Sequence, residues 1–236
     1  MSTGVAFHFE TVGELLKRLG NVPPHRIRMQ PAPGTATECD VIALHDRHNR
    51  LFELVDGTLV EKTMGLRESM LAAWIVYLLQ ANLQNSKLGL IAGADGMVRL
   101  LGKQVRIPDV SFISWDKLPG RKLPREPIPD LVPDLAVEVL SESNTKAEME
   151  RKLKEYFLAG VRLVWLVDPN KQTVEVFTAP DESRVLAEAD LLTANGVLPG
   201  LMVTVRSIFE DVPGEEEGPP PARPAKSRSR KRGRKK

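Results

Sequence analysis

Asp134–Gly160 reads DLAVEVLSESNTKAEMERKLKEYFLAG. Leu135 to Leu140 is apolar at every position except Glu138, the pattern of a short central strand covered on both faces. Thr145 to Leu158 changes to helical spacing. Thr145 and Glu148 fit a capping box, and Gly160 fits the C-terminal stop. A carboxylate inside an apolar strand is very unfavourable unless it is neutral, paired or metal-bound. Glu138 is therefore the residue to explain, and an ordinary pairing with a nearby Arg or Lys competes evenly with a functional role.

Downstream, Leu163 to Val167 is a second apolar strand. Asp168-Pro169-Asn170 turns the chain and Thr173 to Phe177 returns. Weaker elements run to about Phe209. Upstream, Leu51–Lys62 (LFELVDGTLVEK) places two β-prone runs around Asp56-Gly57, a pair favoured in two-residue hairpin turns. Leu66 to Leu83 is helical, with Leu71, Trp74, Ile75, Leu78, Leu79 and Leu83 as the buried stripe. Short strand-like runs follow at Gly89–Ala92, Met97–Leu101 and Val105–Ser114. Asp116 to Pro133, rich in proline and charge, reads as a long surface loop. Thr11 to Leu19 is a short helix, and Val22 to Thr37, with four prolines, is loop.

The composition excludes several classes. With 42% hydrophobic and 27% charged residues, the 236-residue chain resembles an ordinary globular protein. No apolar stretch approaches the roughly 20 residues that span a bilayer. The N-terminus lacks a secretion pattern. The single Cys39 excludes a disulfide framework and a Cys-rich zinc site. A reducing, cytoplasmic setting is expected. The charge is uneven. Nine of the 33 Lys and Arg lie in Ala222–Lys236, which has no acid. The 24 that remain face 31 Asp and Glu, so the first 221 positions carry about −7 and the tail about +9.

Two further residues join Glu138. Asp109 follows Ile107-Pro108 and opens the strand-like run VSFIS; an acid there is commonly turn chemistry. On neighbouring strands, however, Asp109 and Glu138 would bring two carboxylates to one sheet edge, hard ligands of the kind Mg²⁺ uses. In the helix, the apolar stripe is Met149, Leu153, Tyr156 and Phe157. At ~100° per residue Lys152 lies about 85° from the stripe centre and Lys154 about 115° on the other side, so geometry favours Lys152 only slightly. For either lysine alone, a solvated helix face is the ordinary outcome.

Taken in order, Ile107-Pro108-Asp109, DLAVEVLSESNT and KLKEYFLAGVRLVWLVDP resemble the putative restriction endonuclease family of the PD-(D/E)XK nuclease superfamily, over about Leu51 to Arg206. The resemblance implies a core of helix, three strands, helix and strand. It makes Asp109 the acid of the Pro-Asp motif and Glu138 that of the (D/E)XK motif. The usual lysine place holds Leu140. In this family the lysine moves into the next helix, four residues before a tyrosine, which selects Lys152 with Tyr156. Glu53, before the Asp-Gly hairpin, matches a further acid. Glu68 stands about where many members have a histidine, and an acid in a first helical turn is also favoured by the helix dipole.

The implied fold is α/β with a restriction-endonuclease-like core, a mixed and mostly antiparallel central sheet flanked by helices. Residues 51–212 would form that domain, after an N-terminal extension (1–50) with a short helix. Residues 213–236 would be a disordered tail, acidic and proline-rich and then basic. The implied activity is Mg²⁺-dependent DNA endonuclease cleavage, with Mn²⁺ as a substitute. Asp109 and Glu138 would be the metal ligands, Lys152 would orient or help deprotonate the attacking water or stabilise the transition-state charge, and Glu53 and Glu68 would be secondary. Arg121, Lys122 and Arg125 in the long loop are candidate DNA contacts. The basic tail either binds phosphates non-specifically or only solubilises. The partners expected are DNA and a second copy of the chain, since cutting two strands needs two sites; no membrane and no small-molecule cofactor is expected. The alternative is an inactive domain of the same fold that binds nucleic acid or protein. His45 and His48 read as loop histidines, Trp74 and Trp165 as core, and no GxGxxG, Walker A or nucleophile-elbow pattern occurs.

Overall fold

Apolar alternation and helical stripes dictate most of the elements seen in the computed structural model of the protein, which describes residues 7–212 except Asn195 and the side chain of Asn85. The chain runs through α1 (Val12–Arg18), β1 (Ile27–Arg28) and α2 (Glu38–His48) into the hairpin β2 (Phe52–Val55) and β3 (Thr58–Glu61). Then come α3 (Leu66–Ser86), β4 (Gly89–Ala92), β5 (Val98–Arg99), β6 (Val105–Arg106) and β7 (Val110–Ser114). The last part holds β8 (Leu135–Val139), α4 (Lys146–Ala159), β9 (Leu163–Asp168), β10 (Thr173–Ala179), β11 (Glu182–Leu186), β12 (Leu191–Ala194), β13 (Leu198–Thr204) and α5 (Arg206–Phe209).

The central sheet has six strands in the order β11-β10-β9-β8-β7-β4. Every neighbouring pair is antiparallel except β8 and β9. The expected mixed, mostly antiparallel sheet is thus present, and α3, three strands, α4 and β9 follow in the expected order. A second sheet has the order β1-β3-β2-β6-β5, and β12 and β13 pair separately.

The two faces of the central sheet are covered differently. Leu71, Ile75, Leu79 and Leu83 of α3 pack on Val110, Phe112, Leu135, Val137, Leu163 and Trp165. Burying each such side chain stabilises by about 1.5–3 kcal/mol. On the opposite face Met149, Leu153 and Tyr156 of α4 cover Ala136, Val164 and Leu166. The α4 helix starts where Thr145 accepts a hydrogen bond from the Glu148 N–H, and it stops at Gly160, left-handed with φ 101°. The β2–β3 turn has Asp56 and Gly57 both at positive φ. A side chain at Gly57 would also strike the Gly34 carbonyl.

Five expectations change. The first fifty residues hold two helices rather than one, and β1 pairs with β3. The missed α2 has only a thin apolar stripe, Val41 and Leu44, and is started by a Thr37–Asp40 capping box. His45 and His48 therefore lie on the last turn of a helix and not in a loop. Val105–Ser114 is not one strand, because Pro108 offers no N–H to a ladder; its halves enter different sheets. Met97–Leu101 shortens to β5 and a tight turn. Trp165 is core, whereas Trp74 is half-buried and stacks on Tyr77. The tail expected to be disordered, residues 213–236, lies outside the described residues.

Candidate active site

Strand alternation decides which side chains can meet. Val110 pairs with Val137 in the β7–β8 register. Asp109, just before β7, and Glu138, the next residue of β8, follow that pair at the same sheet edge, close enough for the charge of one to act on the other. The Asp109 backbone N–H donates to the Val137 carbonyl, and the Val139 N–H donates to Asp109 Oδ2 at 2.6 Å. Both carboxylates are buried, Asp109 4% exposed and Glu138 5%.

Helix α4 brings Lys152 to this edge and leaves Lys154 exposed. The Lys152 ammonium lies 3.1 Å from Glu138 Oε2 and 3.0 Å from Glu53 Oε1. One turn later, the Tyr156 hydroxyl donates to Glu138 Oε1 at 2.5 Å. Glu53 arrives from β2, and its other oxygen accepts from Arg106 at 2.7 Å. Arg106 in turn donates to Glu155. The Lys62 ammonium sits 2.7 Å from Asp109 Oδ1 and also donates to the Ile107 carbonyl.

Burial and charge sort the titration of this group. Burial opposes ionisation of Glu53, but the charges of Lys152, Arg106 and Lys62 outweigh it and hold Glu53 well below the usual carboxylate range. Burial pushes Glu138 above that range. Lys152 and Lys62 offset the push, while the neighbouring Asp109 and Glu53 charges add to it. Burial alone would lower the Lys152 ammonium, yet Glu138 and Glu53 raise it. Lys152 therefore stays charged, and Tyr156, raised by burial and by Glu138, keeps its proton.

Four of the five expected acid and lysine positions come together: Asp109, Glu138, Lys152 and Glu53. Glu68 does not join them. It stands in the first turn of α3 on the wall of a cavity of about 700 Å³, with His25, Thr63, Arg67, Ser141 and Ser143. That cavity adjoins the cluster through the chain, since Lys62 precedes Thr63 and Leu140 precedes Ser141. Arg121, Lys122 and Arg125 are exposed on the loop after β7. Lys117 anchors that loop to Asp134, at the other end of β8 from Glu138. Sequence reasoning missed Arg106 and Lys62. Arg106, a charge inside the apolar run Val105–Ile107, carries the same signature as Glu138. Lys62, at a hairpin end, carries none.

The metal expectation meets a mixed donor set. Among the described residues, no three His, Cys, Asp or Glu side chains group into a metal-holding cluster. Asp109 and Glu138 still supply two hard oxygen donors side by side, which together with a main-chain carbonyl and water is a set suited to Mg²⁺.

Residues 39–206 match the model of the family Uma2, described as putative restriction endonuclease. The chain belongs to that family. The match begins inside α2, within the segment first set apart as an extension. Among solved structures, the chain is similar to a putative nuclease of the DUF820 group from Anabaena variabilis. The identity is 19% and the TM-score 0.59, covering 68% of this chain and 90% of that one. At that identity the likeness shows the fold, which is restriction-endonuclease-like. No curated protein matches the chain. Among the described residues, no helix is long and apolar enough to cross a membrane.

Proposed function

We propose that this protein is a metal-dependent DNA endonuclease. The observation that carries the proposal is the buried cluster at the edge of β7 and β8, where Asp109 accepts from the Val139 N–H next to Glu138 and Lys152 lies 3.1 Å from Glu138. Asp109, Glu138 and the carbonyl next to Glu138 would hold Mg²⁺, or Mn²⁺ in its place. Such an ion lowers the pKa of bound water and neutralises charge on the phosphate in flight. The chain's own groups do the rest. Tyr156 and Lys152 fix the two Glu138 oxygens. Lys152, held in its charged form by Glu138 and Glu53, would serve as an electrostatic group and hydrogen-bond donor to the attacking water or the phosphate. Arg106 and Lys152 fix Glu53. Glu68 would act only on the cavity wall. Two copies of the chain would be needed to cut both strands at one position.

One observation favours the alternative of an inactive nucleic-acid- or protein-binding domain. Both oxygens of Asp109 and both of Glu138 already have protein partners. Cleavage of supercoiled plasmid with Mg²⁺ or Mn²⁺ separates the two readings, with wild type beside Asp109→Ala, Glu138→Ala and Lys152→Ala, each first shown to fold. Cutting by wild type and a loss of about 10³-fold in each variant are expected, the scale of removing one group that stabilises transition-state charge. Cleavage that survives in all three variants would discard this site. Absence of cleavage by the wild type would favour the binding domain.

A further inference from the structure

The ionic cluster holds two lysines in different circumstances. Lys152 is 4% exposed, locked between Glu53 and Glu138, with Tyr156 closing Glu138 from the other side. Lys62 leaves the chain just beyond β3. Its ammonium has one carboxylate oxygen, Asp109 Oδ1 at 2.7 Å, and one carbonyl, that of Ile107. The residues that follow it, Thr63 to Glu68, line the cavity. Lys62, its side chain 7% exposed, thus makes one ion pair and sits next in the chain to the cavity lining, whereas Lys152 is clamped by two acids.

The place that Lys62 occupies is chemically specific. The other oxygen of Asp109 is taken by the Val139 N–H. Asp109 Oδ1 is therefore the atom through which Asp109 would reach a metal ion, and an ammonium sits on it. An ammonium and a dication at contact distance from one buried oxygen repel each other strongly. A lysine, with a flexible four-carbon stem, can move its charge away while its backbone stays in place.

We propose that Lys62 is an exchangeable cation of this site. It neutralises Asp109 while no metal is bound, yields that oxygen when Mg²⁺ or Mn²⁺ binds, and turns into the cavity, where its ammonium meets a phosphate oxygen of the DNA strand. This rests on the metal-dependent reading of the site. It gives the two lysines separate duties, Lys152 holding the acids in place and Lys62 carrying charge to the substrate.

The test is calorimetric titration of the DNA-free, full-length protein with Mn²⁺, using wild type, Lys62→Met, Lys62→Gln, Lys62→Arg and Lys154→Met. The two neutral Lys62 variants should bind Mn²⁺ at least about tenfold more tightly than wild type, a free-energy difference of about 1.4 kcal/mol. Lys62→Arg should bind no more tightly than wild type. Lys154→Met, which removes the same charge from an exposed helix face, should match wild type. At saturating Mn²⁺ the neutral Lys62 variants should cleave about 10²-fold more slowly. Equal Mn²⁺ affinity in wild type and both neutral variants would overturn the exchange, and unchanged cleavage would overturn the phosphate contact. If both neutral variants fail to fold while Lys62→Arg folds, Lys62 is a structural counter-ion and the exchange falls. Absence of Mn²⁺ binding by wild type and every variant would remove the metal reading itself, and this inference with it.

Discussion

The two faces of β8 follow opposite rules within five residues. Leu135, Val137 and Val139 point into the α3 core among aliphatic and aromatic neighbours. Ala136 and Glu138 point toward α4, where Glu138 meets Lys152 and Tyr156. On the first face, stability comes from area removed from water and depends little on which residue supplies it. On the second, charges have been taken out of water and each depends on a partner. Such an arrangement stabilises weakly or not at all compared with an apolar one. The α3 face therefore reads as the scaffold, and the α4 face as the place where stability is given up to hold acids and cations at fixed positions.

The largest effects should separate the faces cleanly. Glu138→Gln keeps the volume and an acceptor for Tyr156 but removes the charge that burial opposes. Cleavage should fall about 10³-fold, while stability in urea stays near wild type, because Lys152 keeps its pair with Glu53 and the charge removed is one that burial opposes. Trp165→Ala, on the α3 face and 1% exposed, should do the reverse. It should cost about 3–5 kcal/mol and leave cleavage per folded molecule unchanged. The contrast breaks if Glu138→Gln unfolds the protein as Trp165→Ala does.

A middle-sized effect lies in the pH dependence. The Lys152 ammonium is raised in the folded protein, so its contribution to stability is complete below its ordinary value of 10.5 and is lost as pH rises through the folded value. Tyr156, also raised, adds a limb of the same sign above 10. Glu53, held low, contributes above its ordinary 4.5 and loses that contribution as pH falls. Glu138, raised, opposes it, because protonation relieves a buried charge. The acid limb is therefore shallow and the alkaline limb steep. Melting curves from neutral pH to pH 11 should show wild type losing stability, Lys152→Met losing less, and Tyr156→Phe removing only the tyrosine share. An alkaline limb unchanged in Lys152→Met would mean that Lys152 is not held by the two glutamates.

How much of this was legible depended on whether a charge stood alone in an apolar pattern. Glu138 announced itself that way; Asp109, after Ile107-Pro108, looked like turn chemistry and gained weight only beside Glu138, at whose sheet edge the fold places it. Lys152 and Lys154 were nearly equivalent by helical geometry; the tyrosine four residues on, through the family resemblance, selected Lys152. Glu53 was matched by its place before the hairpin. Its burial could not be read, because it depends on a second sheet bringing β2 and Arg106 against α4. Lys62 was illegible for the same reason: a lysine at a hairpin end is ordinary until the fold puts Asp109 beside it. The Pro108 break was visible as a residue, but not as a change of sheet. Helix α2 was hidden by the proline-rich stretch before it and by its thin stripe.

The smallest effect concerns the cations far from the acids. Strand β7 carries the chain about 17 Å from Asp109 at ~3.4 Å per residue. Were a duplex laid along β7, at ~3.4 Å per base pair, cations near the strand's far end would meet phosphates about five base pairs from the one at Asp109. Arg121, Lys122 and Arg125 are exposed, and the Arg121 guanidinium lies over the Trp115 ring at 5.2 Å. Against a body of negative net charge, such a patch would matter for docking and not for chemistry. Replacing all three by Ala should leave stability within about 0.5 kcal/mol and kcat unchanged. KM should rise a few-fold, and the slope of log affinity against log salt should fall by about 0.9 for each phosphate that the loop no longer neutralises. An unchanged slope would remove the loop from the DNA interface. A fall in kcat would mean that the loop reaches the acids after all, and the division between docking end and chemical end would have to be redrawn.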